Sequence, residues 1–201
     1  DEISQLVGEA YMMRAYCHFL LVNLYADAYT HCNPATTRGI PLSLEANVNN
    51  VLTCSSVEQV YQQVIADIKE AKTRLKVAAW DEGYTYRFNQ ISADALLARV
   101  YLYKGDWQDA LAEAKVVMEK HGDLEDLTDS KVLPNYYKSV ESIVALEQVM
   151  TSGYVKMGVP SKALVDTYRT GDKRKALYFK AQTASVYRCG HSQAKARGVP
   201  A

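Results

Sequence analysis

The chain has 201 residues, 23 of them basic and 23 acidic, and therefore a formal net charge of zero. Because no excess of positive charge is available to hold phosphates, we expect neither a nucleic-acid partner nor adhesion to an anionic membrane surface. The length suits one sizeable hydrophobic core or two small ones, and we expect a single domain over residues 1–201, with an incomplete second domain as the alternative.

The first segment predicts a long helix that ends near Asp27. Its apolar residues recur at alternating spacings of four and three, which would place six of them on one face: Leu6, Ala10, Met13, Cys17, Leu20 and Leu24. The opposite face is also mostly apolar after residue 15, so we expect packing on more than one side. Arg14 is predicted to be a structural charge paired with a carboxylate.

Residues 28–54 are predicted to form a long inserted loop. The segment is rich in Asn, Thr, Ser and Pro and has no apolar period of its own. Because compact domains usually join helices by shorter connections, such a loop is either disordered or functional. Cys32 and Cys54 bracket this loop and could be bridged in an oxidising compartment, a choice that the sequence leaves open.

A second helix is predicted between Ser56 and Lys76. Ser56 and Gln59 match a capping box, and the following apolar stripe comprises Val57, Tyr61, Val64, Ile68, Ala71 and Leu75. The connector over residues 78–89, AAWDEGYTYRFN, leads to a third helix that Asn89 or Ser92 can start.

Residues 93–118 predict an antiparallel helical hairpin with its turn at Gly105. The inward positions of the third helix are predicted to be Ala93, Leu96, Leu97, Val100 and Tyr101. Asp106 can cap the fourth helix, whose inward positions are predicted to be Trp107, Ala110, Leu111, Ala114, Val117 and Met118.

The apolar periodicity weakens beyond His121. Residues 141–149 have a β-rich centre and predict a strand or an extended segment. Residues 160–172 predict a short helix with Pro160 near its start and Gly171 past its end. Residues 180–201 show neither pattern and are predicted to be an irregular tail.

The sequence contains no motif typical of nucleotide binding, nucleophilic hydrolysis or zinc-dependent hydrolysis. Cys17 is predicted to be a small buried residue, and His18 a hydrogen-bonded structural histidine. His31 and Cys32 have no third and fourth ligand nearby, so we expect no metal site. We expect no cofactor and a protein that is not an enzyme.

Tyrosine is unusually frequent, with fifteen residues against three Phe and two Trp. A tyrosine ring offers an apolar face together with a hydroxyl, a combination that suits sugar rings. Helical-repeat cores also use tyrosine heavily, which is the preferred interpretation for those within helices. The candidate ligand-binding residues therefore lie in the loop and the connector: Tyr29, His31, Asn33, Trp80, Tyr84 and Tyr86.

Residues 97–117 have the spacing of a tetratricopeptide repeat, with Tyr101, Gly105 and Ala110 where that motif places aromatic, turn and small residues. Four segments follow one another along the chain: GEAYMMRAYCHFLLVNLYAD (8–27), RGIPLSLE (38–45), SSVEQVYQQVIADIKEAKTRL (55–75) and ADALLARVYLYKGDWQDALAEAKVVM (93–118). Through these segments the chain resembles the SusD/RagB family of outer-membrane nutrient-binding lipoproteins.

The resemblance implies a mainly α fold, in which tetratricopeptide-like hairpins of an α/α superhelix hold long inserted loops with little β structure. It implies a surface-exposed outer-membrane protein that captures glycans or other nutrients and delivers them to a TonB-dependent, SusC-like transporter. Family members are about twice as long or more, so this single domain would be incomplete. The signal segment and the lipid anchor, which would be the contact with the membrane, would lie outside this sequence.

Two alternative functions stay open: a glycoside hydrolase, which would need two carboxylates facing each other across a cleft, and a peptide-binding scaffold. A soluble tetratricopeptide scaffold would grip a partner peptide in its concave groove, and Asn23 and Arg99 are the candidates for groove-facing positions. The six candidate ligand-binding residues are not transferred from the family. They rest on their residue types and on their predicted positions outside helices.

Overall fold

The computed structural model describes residues 2–47, 49, 51–127, 137–146, 159–183 and 186–189. The backbone contacts divide the chain into two compact units, residues 1–122 and residues 123–201. The predicted mainly α fold with little β structure is confirmed. That the chain is a single, incomplete domain stays a prediction.

The first unit contains four helices, α1 (Glu2–Tyr25), α2 (Val57–Arg74), α3 (Gln90–Lys104) and α4 (Trp107–Lys120). Each packs against the next one along the chain. The start of α1 meets the end of α2, because the Ser4 hydroxyl donates to the Arg74 carbonyl, whereas Asn23 accepts a hydrogen bond from Tyr61 near the start of α2. The first two helices therefore form an antiparallel pair despite the long loop between them.

The predicted stripe of α2 is confirmed, since all of its six apolar residues are buried. The capping box is also present: the Gln59 amide donates to the Ser56 hydroxyl and the Ser56 amide donates to the Gln59 side chain. A second box, between Asn89 and Ser92, starts α3. Each box satisfies two amides that the first helical turn leaves without a partner.

The predicted inward face of α1 is wrong. Its six residues, which we call the α1 seam, are all exposed: Leu6, Ala10, Met13, Cys17, Leu20 and Leu24. The helix packs through the alternative apolar face instead, where Met12, Ala15, Phe19 and Val22 are buried. This face contains the small Ala15 and, one turn from the start, Gly8, whose position for a Cβ lies 3.1 Å from Leu75. Small residues bring the axes of α1 and α2 close together, and the seam points away from α2.

The α3–α4 hairpin is confirmed, with Gly105 in the left-handed conformation at φ 88°. The left-handed turn favours glycine, and the position that a Cβ of Gly105 would take lies 3.1 Å from the Thr30 methyl group. The predicted inward side of α4 is wrong in part, because Ala110 is buried while Trp107, Leu111 and Met118 are exposed. Asp106 does not cap α4 with its side chain and instead pairs with Lys104.

The predicted loop over residues 28–54 contains regular structure that the sequence pattern did not indicate. A 3₁₀ turn covers Tyr29–His31, and strands β1 (Arg38–Pro41) and β2 (Cys54–Ser56) pair antiparallel. Ile40 is buried and fixes this ribbon against the helices, whereas the described residues between 43 and 53 are exposed. The excursion is thus anchored at its base and open to solvent beyond it.

Among the residues of the second unit that the structure describes are two short helices and one β ribbon. Helix α5 (Lys162–Asp166) is capped by Ser161, and helix α6 (Lys173–Tyr178) follows the left-handed Gly171. Residues 141–146 are irregular, and the rest of the predicted extended segment lies outside the described residues. Strands β3 (Phe179–Thr183) and β4 (Val186–Cys189) pair where an irregular tail was predicted, and residues 190–201 lie outside the described residues.

None of the helices in the described part of the chain combines the length and the apolar character that crossing a membrane requires.

Candidate functional site

The structure separates the six candidate ligand-binding residues into two groups at opposite ends of the α1–α2 pair. Tyr29, His31 and Asn33 follow the last turn of α1, whereas Trp80, Tyr84 and Tyr86 follow the last turn of α2. The connector next to Tyr86 contacts α1 at Glu9, sixteen residues before Tyr25, which corresponds to roughly 24 Å along the helix axis. The two groups therefore cannot contact one small ligand.

The loop group is used largely for internal contacts. The Tyr29 hydroxyl donates to Glu58, and its ring lies 4.9 Å from that of Tyr61. Burial and the hydrogen bond to Glu58 raise the pKa of Tyr29 above its ordinary value. The Asn33 side chain accepts a hydrogen bond from the Ala35 amide and holds a turn, while His31 is exposed.

A shallow groove lies at this same end of the helix pair, between α1 and the β1–β2 ribbon. Its volume is about 570 Å³, and its lining comprises Leu21, Tyr25, Arg38, Gly39, Ile40, Pro41 and Cys54. Cys32 and Cys54 are free thiols in the structure, so the disulfide that the sequence left open is not formed here. The Cys54 thiol instead faces Arg38, and a hydrogen bond between the two raises the pKa of that guanidinium.

The connector group forms a continuous aromatic surface, which we call the connector platform: Trp80, Tyr84 and Tyr86. The ring centroids of Trp80 and Tyr84 are 6.2 Å apart, and those of Tyr84 and Tyr86 are 6.4 Å apart. Tyr84 and Tyr86 are 52% and 45% exposed. Trp80 is held in place because its indole N–H donates to the Phe88 carbonyl at 2.9 Å. The structure brings these three aromatic side chains of the connector together; that they bind a ligand stays a prediction.

An ion pair lies directly beside the platform. Arg87 donates to both carboxylate oxygens of Glu9, from Nη2 at 2.8 Å and from Nε at 3.1 Å. The same guanidinium lies over the Trp80 ring, 4.0 Å from its centroid. The hydrogen bonds to Glu9 raise the pKa of Arg87 above its ordinary value. This two-point geometry fixes the connector to α1 and places polar atoms next to the aromatic rings.

Gln5 ties the connector to both helices. Its side chain is buried; its amide nitrogen donates to the Phe88 carbonyl and to Glu9, and its oxygen accepts from the amides of Lys76 and Val77. Sequence reasoning missed Gln5, Glu9 and Arg87 as parts of this region. Gln5 lies three residues before Gly8 and seven before Met12, and this helical spacing puts it on the inward face of α1. That spacing is the signal that could have found it.

A groove runs between Tyr86, the platform residue nearest to Arg87 in sequence, and the first half of α1. Its volume is about 350 Å³, and its lining combines apolar, aromatic and charged residues: Glu2, Leu6, Glu9, Met13, Tyr86, Arg87 and Phe88. The arrangement offers aromatic faces, an apolar floor and hydrogen-bonding groups around one concave surface, which is the composition of a small-molecule binding site. We call this surface the connector groove.

Buried charges hold the helices that frame both ends. Arg14 donates two hydrogen bonds to Asp67, which confirms it as a structural charge and names a partner on α2. Lys72 pairs with Asp94 at 2.8 Å and with Glu113 at 2.9 Å. Although desolvation lowers the pKa of Lys72, the hydrogen bonds to these two carboxylates outweigh it and raise the pKa overall. The frame is therefore fixed by directional contacts as well as by apolar packing.

Two sequence predictions on the first helix need correction. Cys17 was predicted to be buried, but it is exposed on the α1 seam. His18 was predicted to be hydrogen-bonded, but it is buried and its Nδ1 has no hydrogen-bond partner among the described residues. Burial lowers the pKa of His18, with Asp67 acting in the opposite direction, so the neutral form is favoured.

The chain is similar to proteins of one family by sequence and by structure. Residues 1–102 match a family model, SusD-like, described as starch-binding and associating with the outer membrane. SusD-like protein P2 of Formosa agariphila is 25% identical over 162 residues, which cover 77% of this chain and 30% of that protein. The chain thus spans less than a third of the length of this curated relative.

Solved structures show the same similarity. A SusD-like carbohydrate-binding protein of Bacteroides vulgatus aligns with a TM-score of 0.74 at 18% identity, over 92% of this chain and 44% of that one, which establishes the fold. A laminarin-binding SusD-like protein is 30% identical, with a TM-score of 0.50 over 67% of this chain and 27% of that one.

Proposed function

Because this chain belongs to the SusD-like family, we propose that it is a glycan-binding protein, not an enzyme, and that it binds its ligand at the connector groove. The observation that carries this proposal is the connector platform beside the Glu9–Arg87 pair. Sugar rings present apolar C–H faces and hydroxyls, which stack on aromatic rings and bond to charged side chains. The match to a laminarin-binding relative supports a glycan as the ligand.

The cellular role is part of the same proposal. We propose that the protein acts at the outer-membrane surface and delivers the captured glycan to a TonB-dependent, SusC-like transporter. The family description, association with the outer membrane, supports the location. Affinity purification from the native membrane tests the partnership, and we expect such a transporter to copurify; a clean preparation without one contradicts the delivery step.

The alternative of a peptide-binding scaffold finds less support. Asn23, one of the two residues expected to face a peptide groove, uses its side chain internally: Nδ2 donates to the Phe19 carbonyl and Oδ1 accepts from the Tyr61 hydroxyl. An asparagine engaged at both ends is poorly available to a partner's backbone.

The first prediction concerns glycan affinity. We expect Tyr84→Ala and Tyr86→Ala each to weaken the binding of starch or laminarin oligosaccharides about tenfold, because each removes an exposed ring on which a sugar can stack. Binding is followed by calorimetry and by Trp80 fluorescence, since Trp80 lies within the platform.

Tyr25→Ala is the matched control, because Tyr25 is 77% exposed at the opposite end of α1. Binding that survives both platform substitutions but is lost in Tyr25→Ala would move the site to the groove beside the β1–β2 ribbon. A folded protein that binds neither glycan nor peptide would contradict the proposed function.

A further inference from the structure

We propose that Glu9 sets the ligand selectivity of the connector groove, so that uncharged glycans bind in preference to anionic ones such as uronic-acid polymers. The inference rests on the proposed function, since it concerns which glycan occupies that groove. It goes further because it assigns the choice between two chemical classes of glycan to one carboxylate of α1.

The first step of the inference is the state of Arg87. An arginine beside an aromatic surface is ordinarily a strong recognition group for a carboxylate, because its planar fork matches two oxygens at once. Here that fork is already occupied by both oxygens of Glu9, at 2.8 and 3.1 Å. One flat face of the guanidinium is covered by the Trp80 ring. A carboxylated sugar would have to displace Glu9 to gain this contact.

The second step is the charge of the lining. Two carboxylates, Glu2 and Glu9, and one guanidinium, Arg87, lie in the groove wall. With Arg87 neutralised by Glu9, the negative charge of Glu2 is left over. An anionic polymer would be repelled within the screening distance of about 8–10 Å at ordinary salt. Discrimination of this kind comes from a repulsive group placed against the wrong ligand.

The third step is that Glu9 is well fixed. Its side chain is 15% exposed, and it also accepts a hydrogen bond at 2.8 Å from the buried Gln5. A carboxylate held from two sides does not swing away to release Arg87. An uncharged sugar can bind without separating Arg87 from Glu9, because it contacts only the platform rings and the outer edges of the ion pair.

The second prediction follows from Glu9→Gln, which removes the charge and keeps an oxygen that can accept from Arg87. We expect this variant to raise the affinity for uronic-acid oligosaccharides about tenfold, since Arg87 gains an unneutralised charge. Affinity for uncharged glucan oligosaccharides, whose hydroxyls can also bond to Glu9, should not rise, so the ratio of anionic to uncharged affinity increases. Both ligands are titrated by calorimetry at matched chain length.

Asp106→Asn is the matched control. It makes the same carboxylate-to-amide change in the Lys104–Asp106 pair, which lies at the turn between α3 and α4 and, through the Lys104–Tyr29 contact, at the opposite end of the α1–α2 pair. We expect both affinities to be unchanged in this variant.

Salt dependence of the unsubstituted protein provides a readout that does not depend on the folding of a variant. Repulsion predicts that added salt strengthens any weak binding of uronic-acid oligosaccharides, whereas an attractive site would bind them less tightly as salt rises. Weakening with salt overturns the inference.

The outcomes separate the inference from the proposed function. Uncharged and anionic glycans binding equally well, or Glu9→Gln leaving the anionic affinity unchanged, overturns the selectivity role while glycan binding stands. Binding of neither class to the folded protein overturns the proposed function itself.

Discussion

Asp67 illustrates how single residues hold this molecule together. Its carboxylate is 2% exposed and accepts hydrogen bonds from Arg14 on α1 and from Gln63 one turn earlier on α2. Removing one partner of a buried ion pair typically costs 3–5 kcal/mol, because the remaining charge loses its compensation. Contacts of this type make the position of α1 on α2 specific, which apolar packing alone would not achieve.

The third prediction concerns His18, which lies between this ion pair and the core. Because the pKa of His18 in the folded protein lies below its ordinary value of 6.5, the unfolded chain binds a proton more readily than the folded one. The contribution of neutral His18 to the free energy of unfolding is therefore fully present above about pH 7.5 and decreases as the pH drops through 6.5. Urea unfolding at about pH 5.5 and about pH 7.5 should differ by up to about 1.4 kcal/mol from this group.

The control for His18 is His18→Gln, which keeps a polar side chain but cannot titrate. We expect the variant to lose this part of the pH dependence, while the exposed His31, replaced in the same way, leaves it intact. An unchanged pH profile in His18→Gln would show that another group is responsible.

At the scale of the elements, the fourth prediction tests which face of α1 is packed. Met12 and Met13 are adjacent and chemically identical, yet Met12 is fully buried and Met13 is 46% exposed. We expect Met13→Lys to change the free energy of unfolding by less than about 0.5 kcal/mol. Met12→Lys should cost more than about 3 kcal/mol, because it places a charge in the core. Urea denaturation measures both, and the reverse order would restore the face predicted from sequence.

The difference between α1 and α2 explains how much of the fold the sequence could predict. On α2 the apolar residues occupy one face, so a single stripe from Val57 to Leu75 could be read correctly. On α1 both faces are apolar, and periodicity cannot rank them. The face of α1 that packs against α2 is the one that contains Gly8 and Ala15, because their small size permits close approach of the two helices.

The same reasoning applies to the strands and to the candidate site. Pairing between β1 and β2 joins residues separated by a twelve-residue excursion without alternating apolar residues, so no local pattern indicated it. The aromatic residues of the connector could be predicted from their residue type and from the absence of helical period. Their partners Gln5 and Glu9 could not, because these lie more than seventy residues away in sequence.

At the scale of the whole molecule, the first unit is a helical frame carrying two segments that leave it. The contacts between α1 and α2 do not depend on the exposed part of the loop. Ser4 and Arg14 contact α2 directly, and Gln5 contacts Lys76 just after the end of α2. The loop is anchored at its base by Ile40. Continuity of the chain through residues 43–53 is therefore not required for the helices to remain paired.

The fifth prediction uses this independence. We expect a protease site inserted after Asn47 to be cleaved readily, because the described residues around it are exposed. The two fragments should remain associated on a native gel and separate only in urea, with glycan binding preserved. Dissociation on cleavage would show that the loop itself holds α1 against α2.

The hydrogen bonds of Gln5 also bear on how such a protein can diversify. Its side-chain amide forms hydrogen bonds with the backbone of Lys76, Val77 and Phe88. Hydrogen bonds to peptide groups do not depend on the side chains of the residues that form them. The connector between Val77 and Phe88 can therefore change its side chains while its backbone keeps the same path. Substitutions in the connector can therefore change its surface chemistry without removing its attachment to α1.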